Sequence, residues 1–152
     1  MPSFDTKNFG SVTYDESSTI CFPCGLPGFE DRKRFLALNF EDTKPLVYLQ
    51  SLEDGGLCFI AMPILAVDPQ YRLRISNEDL ARLELPCERQ PQIGREVMCL
   101  AILALREDGP TANLLAPVVV NIANLKAVQT IMADSDYSHE YPLLSQETAV
   151  CS

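Results

Sequence analysis

The sequence predicts a mainly β protein, a small antiparallel β-barrel-like single domain with one or two short helices. Three observations lead to this prediction. Short apolar runs recur at intervals of roughly ten residues, glycine, proline and asparagine stand between them, and only one stretch carries convincing helical signals. With 152 residues, of which 47% are hydrophobic, the chain can bury one core, and we expect residues 1–144 to form it.

The first half of the chain contains six such runs. Residues 4–7 and 11–14 flank a turn that ends at Gly10, which predicts a hairpin. The run at 34–40 is apolar at both alternating sets of positions, which indicates a strand covered on both faces. The other strands predicted in this half are 19–22, 46–51 and 57–62.

One segment, 76–85, has the signals of a helix. Ser76 stands at the N-cap position, Asp79 occupies the N3 position of a capping box, and Pro86 ends the segment. The proline-containing stretch 86–94 is predicted to be a loop. Helical spacing directs three leucines toward the core, namely Leu80, Leu83 and Leu85.

The most hydrophobic segment, 96–105, is predicted to be a central strand. Its apolar pattern fits a helix as well. We favour a strand because the turn at 107–110 returns the chain directly into the segment that begins at Thr111, and a hairpin needs strands on both sides. Strands at 118–122 and 126–132 are then expected to pair across a tight turn.

The charge balance is strongly acidic. Asp and Glu number 21 against 12 Lys and Arg, giving a net charge of −9. This disfavours direct binding of nucleic acid, whose affinity comes largely from cations placed against phosphates. An acidic surface suits a basic protein partner, and it equally serves to keep a protein in solution.

Targeting and membrane signals are absent from the sequence pattern. The first five residues have neither a basic start nor an apolar continuation, and no uncharged apolar run reaches about 18 residues. We therefore expect a soluble, cytoplasmic protein with no membrane association, and we favour a monomer. The polar tail 145–152 is expected to be disordered.

Cys21 and Cys24 have the spacing of a redox or zinc motif. A tetrahedral zinc needs further ligands, and neither a second such pair nor paired histidines occur. Gly25 and Pro27 follow at once, so the helix that a thioredoxin-like site requires cannot begin there. No metal or cofactor is expected, and a thiol-based redox sensor remains the alternative function.

Residues suited to catalysis are sparse. His139 is the single histidine, and it lies in a polar segment near the C-terminus. Glu53 and Asp54 are adjacent carboxylates, but the two glycines that follow them predict a hairpin turn with solvated charges. The sequence shows no recognisable catalytic motif, which favours a protein without enzymatic activity.

The loop 22–31 contains two prolines and two glycines, which restrict and bend its backbone. It also carries three large apolar side chains, Phe22, Leu26 and Phe29. A rigid loop with aromatic anchors binds a partner with little loss of entropy. The same side chains could instead fill the end of the barrel, and the residues alone leave both possibilities open.

The segment 111–121 places Asn113 and Asn121 within an apolar context that bends at Pro117. A buried amide without partners costs roughly 1 to 3 kcal/mol, so both amides need hydrogen bonds. They either satisfy local backbone groups or serve a binding site.

A second alternative function is that of a metabolite-binding barrel whose pocket is lined by this segment, 111–121.

Three segments are distinctive in their order and spacing. They are 22–31, with the sequence Phe-Pro-Cys-Gly-Leu-Pro-Gly-Phe-Glu-Asp, the run Ser-Leu-Glu-Asp at 51–54 followed by Phe59, and 111–121. Together they resemble the FliW family of bacterial flagellar assembly factors. The likeness extends from Phe4 to Leu143 and departs at Cys24, where the family usually has an acidic residue.

This resemblance implies a non-enzymatic protein with two protein partners, flagellin and the RNA-binding translational regulator CsrA. The free protein would bind CsrA and relieve its repression of flagellin translation, and accumulating flagellin would capture the protein and release CsrA. Phe29 and Leu26 would be apolar anchors, and Asn113 would fix the loop or contact a partner. The expected partner-binding residues are Phe22, Leu26, Phe29, Glu30, Glu53, Asp54, Asn113 and Leu114.

Overall fold

The computed structural model describes residues 1–132 and 134–143. The predicted tail 145–152 and the predicted domain boundary at 144 lie outside these residues. Over the described part, the prediction of a mainly β, antiparallel, barrel-like architecture with one or two short helices is confirmed, and the structure has two.

Within the described residues, eleven strands and two α-helices follow one another. The strands are β1 (Ser3–Thr6), β2 (Gly10–Thr13), β3 (Ile20–Cys21), β4 (Arg34–Leu38), β5 (Val47–Ser51), β6 (Cys58–Pro63), β7 (Val97–Arg106), β8 (Gly109–Ala112), β9 (Val118–Asn121), β10 (Ala127–Gln129) and β11 (Tyr141–Pro142). The helices are α1 (Ile64–Val67) and α2 (Asn77–Arg82).

The main sheet has nine strands and curls on itself. Its central path runs β10-β9-β7-β6-β5-β4-β3, and β7 also pairs with β8, which pairs with β11. The two ends of the path meet at a single bridge between Cys21 and Lys126, where the Cys21 N–H donates to the carbonyl of Leu125 at 2.9 Å. The sheet is therefore barrel-like but is not closed by a continuous ladder.

Apolar side chains cover both faces of the sheet, because alternate residues of its strands point in opposite directions. β7 demonstrates this: Leu100 points into the curl, whereas Val97 and Cys99 point outward. The inner core is formed mainly by Phe22, Phe35, Leu49, Leu100 and Val118. The outer core is formed mainly by Leu80, Leu83, Val97, Leu114 and Val119.

Helix α2 begins as predicted, since the hydroxyl of Ser76 accepts a hydrogen bond from the Asp79 N–H at 3.2 Å. It ends at Arg82, earlier than the predicted end at residue 85. Glu84 adopts a left-handed backbone with φ 61°, which a helix cannot continue. Leu80 and Leu83 are buried, and residue 85 packs against the same core while remaining partly exposed.

Three features differ from the sequence prediction. The short helix α1 was not predicted, and neither was β11, which pairs Tyr141 with Ala112. The predicted strand 126–132 contracts to β10. Beyond β10, the Thr130 and Met132 N–H groups donate to carbonyls of residues 117 and 115, so the chain follows that segment without forming a regular ladder.

Candidate functional site

The 22–31 loop closes on itself through short backbone hydrogen bonds. The Phe29 N–H donates to the carbonyl of Leu26 at 2.7 Å, and the Gly25 N–H donates to the carbonyl of Phe22 at 2.9 Å. Gly25 has φ +66°, and a Cβ there would lie 2.5 Å from the backbone of Glu30. Only glycine permits this close approach, which fixes the loop as a compact unit.

The three large side chains of this loop separate into two roles. Phe22 is 0% and Leu26 2% exposed, and Phe22 packs edge-on against Phe35 with ring centroids 5.3 Å apart. Both side chains fill the inner core, and this burial counts against Phe22 and Leu26 as surface anchors. Phe29 is 38% exposed and stands edge-on to Phe59 at 5.6 Å. Phe29 is thus the aromatic residue that this loop presents to solvent.

Glu53 connects two of the sequence motifs. One carboxylate oxygen, Oε1, accepts hydrogen bonds from the backbone N–H groups of Lys33 at 2.6 Å and Arg34 at 3.2 Å. The Ser51 hydroxyl accepts from the Glu53 N–H at 3.0 Å and the Asp54 N–H at 2.9 Å, which shapes the turn. Glu53 therefore holds the turn against the end of the 22–31 loop.

The same turn also holds the N-terminal hairpin. The Lys7 N–H donates to the carbonyl of Gly55 at 2.9 Å. A Cβ at Gly55 would lie 2.5 Å from the carbonyl oxygen of Asp5, so a side chain there would push the hairpin away. The hairpin β1–β2 forms a sheet of its own and reaches the rest of the domain partly through this contact.

Two exposed carboxylates follow the exposed phenylalanine in the chain, and a third is linked to them through Arg32. Glu30 and Asp31 follow Phe29 in the chain, and the Glu30 side chain accepts from the Gly28 N–H at 3.0 Å. Arg32 forms ion pairs with Asp31 and, at 3.7 Å, with Asp54. We call this surface the Phe29 ledge and define it as Phe29, Phe59, Glu30, Asp31 and Asp54. Its chemistry suits a partner with an apolar group flanked by cations.

Asn113 fixes the geometry of its own loop. Its Oδ1 accepts hydrogen bonds from the N–H groups of Leu115 at 3.1 Å and Ala116 at 2.9 Å. The neighbouring Leu114 is 2% exposed and lies in the outer core, where its carbonyl accepts from the Tyr71 hydroxyl at 2.6 Å. This burial counts against a direct contact between the Leu114 side chain and a partner.

Asn121 is also structural. It is 4% exposed, its Nδ2 donates to the carbonyl of Leu83 at 2.7 Å, and its Oδ1 accepts from the Ala123 N–H at 2.9 Å. The side chain thus caps the end of α2 from the facing strand β9. Leu114 lies in the outer core, whereas Phe22 and Leu26 lie in the inner core, so the predicted site residues of the two segments fall into separate groups.

Two important residues were missed by the sequence analysis. Gln50 is 0% exposed. Its amide nitrogen donates hydrogen bonds to the carbonyls of Ser51 at 3.0 Å and Leu57 at 3.2 Å, which stabilises the turn at 51–56. Tyr71 stacks on Tyr137 with centroids 4.3 Å apart. The signal for Gln50 was available, since a glutamine inside an apolar strand needs hydrogen-bond partners.

The cysteines offer little support for thiol chemistry. Cys21 is half-buried in β3 and Cys24 is exposed, and both are free thiols. Burial raises the pKa of the Cys99 thiol to about 12 and also raises the pKa of the Cys58 thiol, which disfavours the reactive thiolate form of both.

The inner core is filled by Phe22, Phe35 and the other side chains named above, which counts against a metabolite pocket inside the curl.

Among residues 1–132 and 134–143, the structure has no helix long and apolar enough to cross a membrane. The same residues contain no group of three or more His, Cys, Asp or Glu side chains placed to hold a metal ion.

These features define a class of protein: a small, mainly β domain with a side-chain-filled interior and an aromatic, acidic ledge carried on a rigid loop. The model of the family described as FliW protein matches residues 3–143. The chain belongs to the FliW family of flagellar assembly factors.

Individual relatives agree with this assignment. The chain is 33% identical over 142 residues to the flagellar assembly factor FliW of Syntrophomonas wolfei, covering 92% of this chain and 87% of the relative. It is 30% identical over 145 residues to that of Clostridium beijerinckii, covering 94% and 99%. A crystal structure of the flagellar assembly factor FliW superposes with a TM-score of 0.82 at 29% identity, covering 96% of this chain and 99% of that one.

Proposed function

We propose that this protein is a non-enzymatic cytoplasmic regulator that binds CsrA and flagellin in turn. Bound to the protein, CsrA no longer represses flagellin translation, and accumulating flagellin displaces CsrA. The family assignment supports this role in general terms. The observation that supports a binding surface is the Phe29 ledge, where a 38% exposed phenylalanine is followed by two exposed carboxylates, Glu30 and Asp31.

The chemistry of the ledge favours a basic partner. Phe29 would insert into an apolar pocket, and Glu30 and Asp31 would meet cations around it, as exposed aromatic anchors with charged rims do in other interfaces. Because the loop is closed by its own hydrogen bonds, docking would order few additional groups. CsrA, as an RNA-binding protein, offers cations of the required kind.

The experiment is calorimetric titration of the protein with purified CsrA and, separately, with flagellin. Phe29→Ala should weaken binding of at least one partner by about tenfold or more, corresponding to about 1.4 kcal/mol. Leu105→Ala is the matched control, since Leu105 is an apolar residue 74% exposed outside the ledge. Equal losses in both variants, or binding that falls only as thermal stability falls, would remove the ledge assignment.

A further inference from the structure

We propose that Arg72 and Arg74 form a binding site for an acidic peptide segment of a partner protein, bound in an extended conformation. The site lies on the outer-core side of the sheet, away from the Phe29 ledge. It takes a ligand of the opposite charge to the one that the ledge suits, and it does not depend on the identity of either proposed partner.

The two arginines extend from a segment that is strand-like but pairs with no strand in the described part of the chain. Tyr71, Leu73 and Ile75 are buried, whereas Arg72 and Arg74 are exposed. Alternation of this kind places residues i and i+2 on the same side, about 7 Å apart. The two side chains therefore share one outward face.

Side chains, instead of a neighbouring strand, hold this backbone. The Arg72 N–H donates to the Tyr137 hydroxyl at 2.8 Å, and the Gln90 amide bonds both backbone groups of Ile75, accepting at 2.6 Å and donating at 3.0 Å. The Arg74 N–H lies 3.3 Å from the Met132 sulfur. The base of each arginine is thus fixed before any ligand arrives, which lowers the entropy lost on binding.

Arg72 and Arg74 are both exposed residues. Within residues 1–132 and 134–143, neither Arg72 nor Arg74 forms an ion pair. Most other arginines do, namely Arg32, Arg34, Arg82, Arg89 and Arg106. Two unpaired guanidinium groups side by side are unusual in a chain of net charge −9. Their planar donor forks match carboxylates in geometry.

The surroundings favour a peptide over a simple anion. The arginines border a cavity of about 400 Å³ that is also lined by Ser76, Asp134 and Ser135. An extended peptide also offers backbone N–H groups, from which the Asp134 carboxylate can accept a hydrogen bond. Nucleic acid is disfavoured because two cations on an acidic protein neutralise too little of its charge. A peptide with carboxylates at every second residue fits the arginine spacing.

The test uses the whole protein, labelled with nitrogen-15, and follows amide chemical shifts. The probe is the peptide acetyl-Gly-Glu-Thr-Glu-Gly-amide, and acetyl-Gly-Glu-Glu-Thr-Gly-amide controls for composition. We expect shifts confined to residues 71–76, 90 and 134–137, with tighter binding of the alternating peptide. Shifts scattered over the surface, equal binding of both peptides, or the same response to inorganic phosphate would overturn the proposal.

Matched variants complete the experiment. The double variant Arg72→Gln, Arg74→Gln should bind the alternating peptide about fivefold to tenfold more weakly than the wild type. Lys7→Gln combined with Arg95→Gln removes the same charge elsewhere and should leave the affinity within about twofold. Circular dichroism melting confirms that both proteins are folded. Equal weakening in the two double variants would contradict the site, because it would trace the effect to net charge alone.

Discussion

The carboxylate of Glu53 accepts a hydrogen bond of 2.6 Å from the backbone N–H of Lys33, twenty residues earlier in the chain. This contact joins the turn at 51–56 to the end of the 22–31 loop, and a second bond from the Arg34 N–H strengthens it. Through Gly55 the same turn also receives the N-terminal hairpin. The short turn at 51–56 thus positions both the 22–31 loop and the N-terminal hairpin.

Removing this connection should loosen the loop. Glu53→Ala leaves two backbone N–H groups without their carboxylate, and we expect the free energy of unfolding to fall by about 1 kcal/mol, with a smaller loss for Glu53→Gln, which keeps an acceptor. Urea denaturation measures both. A Glu53→Gln loss as large as that of Glu53→Ala would show that the charge, and not the hydrogen bond, is essential.

Gly25 and Gly28 provide a matched pair in one loop. Both have positive φ, but a Cβ at Gly25 would lie 2.5 Å from the backbone of Glu30, whereas one at Gly28 would meet nothing within 4 Å. Gly28→Ala should cost only the strain of its backbone, about 1 kcal/mol. Gly25→Ala should cost clearly more, measured by thermal unfolding. Equal losses would mean that the close approach to Glu30 is unimportant.

Phe22 and Phe29 belong to the same loop but should respond differently to truncation. Phe22→Ala removes a fully buried ring from the inner core and should lower the free energy of unfolding by about 3 to 5 kcal/mol. Phe29→Ala removes a ring that is 38% exposed and should cost about 1 kcal/mol. Chemical denaturation compares them. Similar costs would place Phe29 in the core and remove it from the proposed interface.

Asn121 should matter for stability far more than its neighbour Asn124. Asn121→Ala leaves the carbonyl of Leu83 without its 2.7 Å donor in a buried position, and we expect a loss of about 1 to 3 kcal/mol. Asn124 reaches the same carbonyl at 3.4 Å from an exposed position, so Asn124→Ala should cost less. The rate of hydrogen exchange at the α2 amides gives a second readout. This rate should rise in Asn121→Ala and stay unchanged in Asn124→Ala.

Glu96 should make stability depend on acid pH. The Arg89 guanidinium and then the Gln92 N–H hold the pKa of Glu96 at about 2, below its ordinary 4.5. Because the folded-state pKa is the lower one, the stabilisation is complete above about pH 4.5 and is lost as the pH falls toward 2. The stability difference between wild type and Glu96→Gln, measured by urea denaturation at a series of pH values, should therefore shrink across this range.

Much of the fold follows from short-range patterns in the chain. The hairpin β1–β2, the strands β4 to β7 and the N-cap at Ser76 all agree with alternation, turn chemistry and capping signals. The helix α1 and strand β11 do not, because four and two residues are too few to establish a period. β11 depends on a contact between Tyr141 and Ala112 that only the folded chain brings together.

The site was predicted less completely, for a related reason. The composition of the 22–31 loop identified it as rigid and apolar, but it could not tell Phe22 from Phe29. In the folded loop Phe22 is 0% exposed and Phe29 38% exposed, a difference that depends on contacts with Phe35 and Phe59 on other strands. Likewise, the partners of Asn113 and Asn121 are backbone groups whose positions depend on the folded loop and on helix α2.

The central proposal is that one protein exchanges CsrA for flagellin. The most direct measurement is to form the complex with CsrA, add one equivalent of flagellin, and follow both the composition of the complex by size-exclusion chromatography and the binding of flagellin messenger RNA by CsrA. We predict that CsrA elutes free and regains RNA binding while flagellin takes its place. A complex of all three proteins, or CsrA that stays bound at excess flagellin, would contradict the proposal.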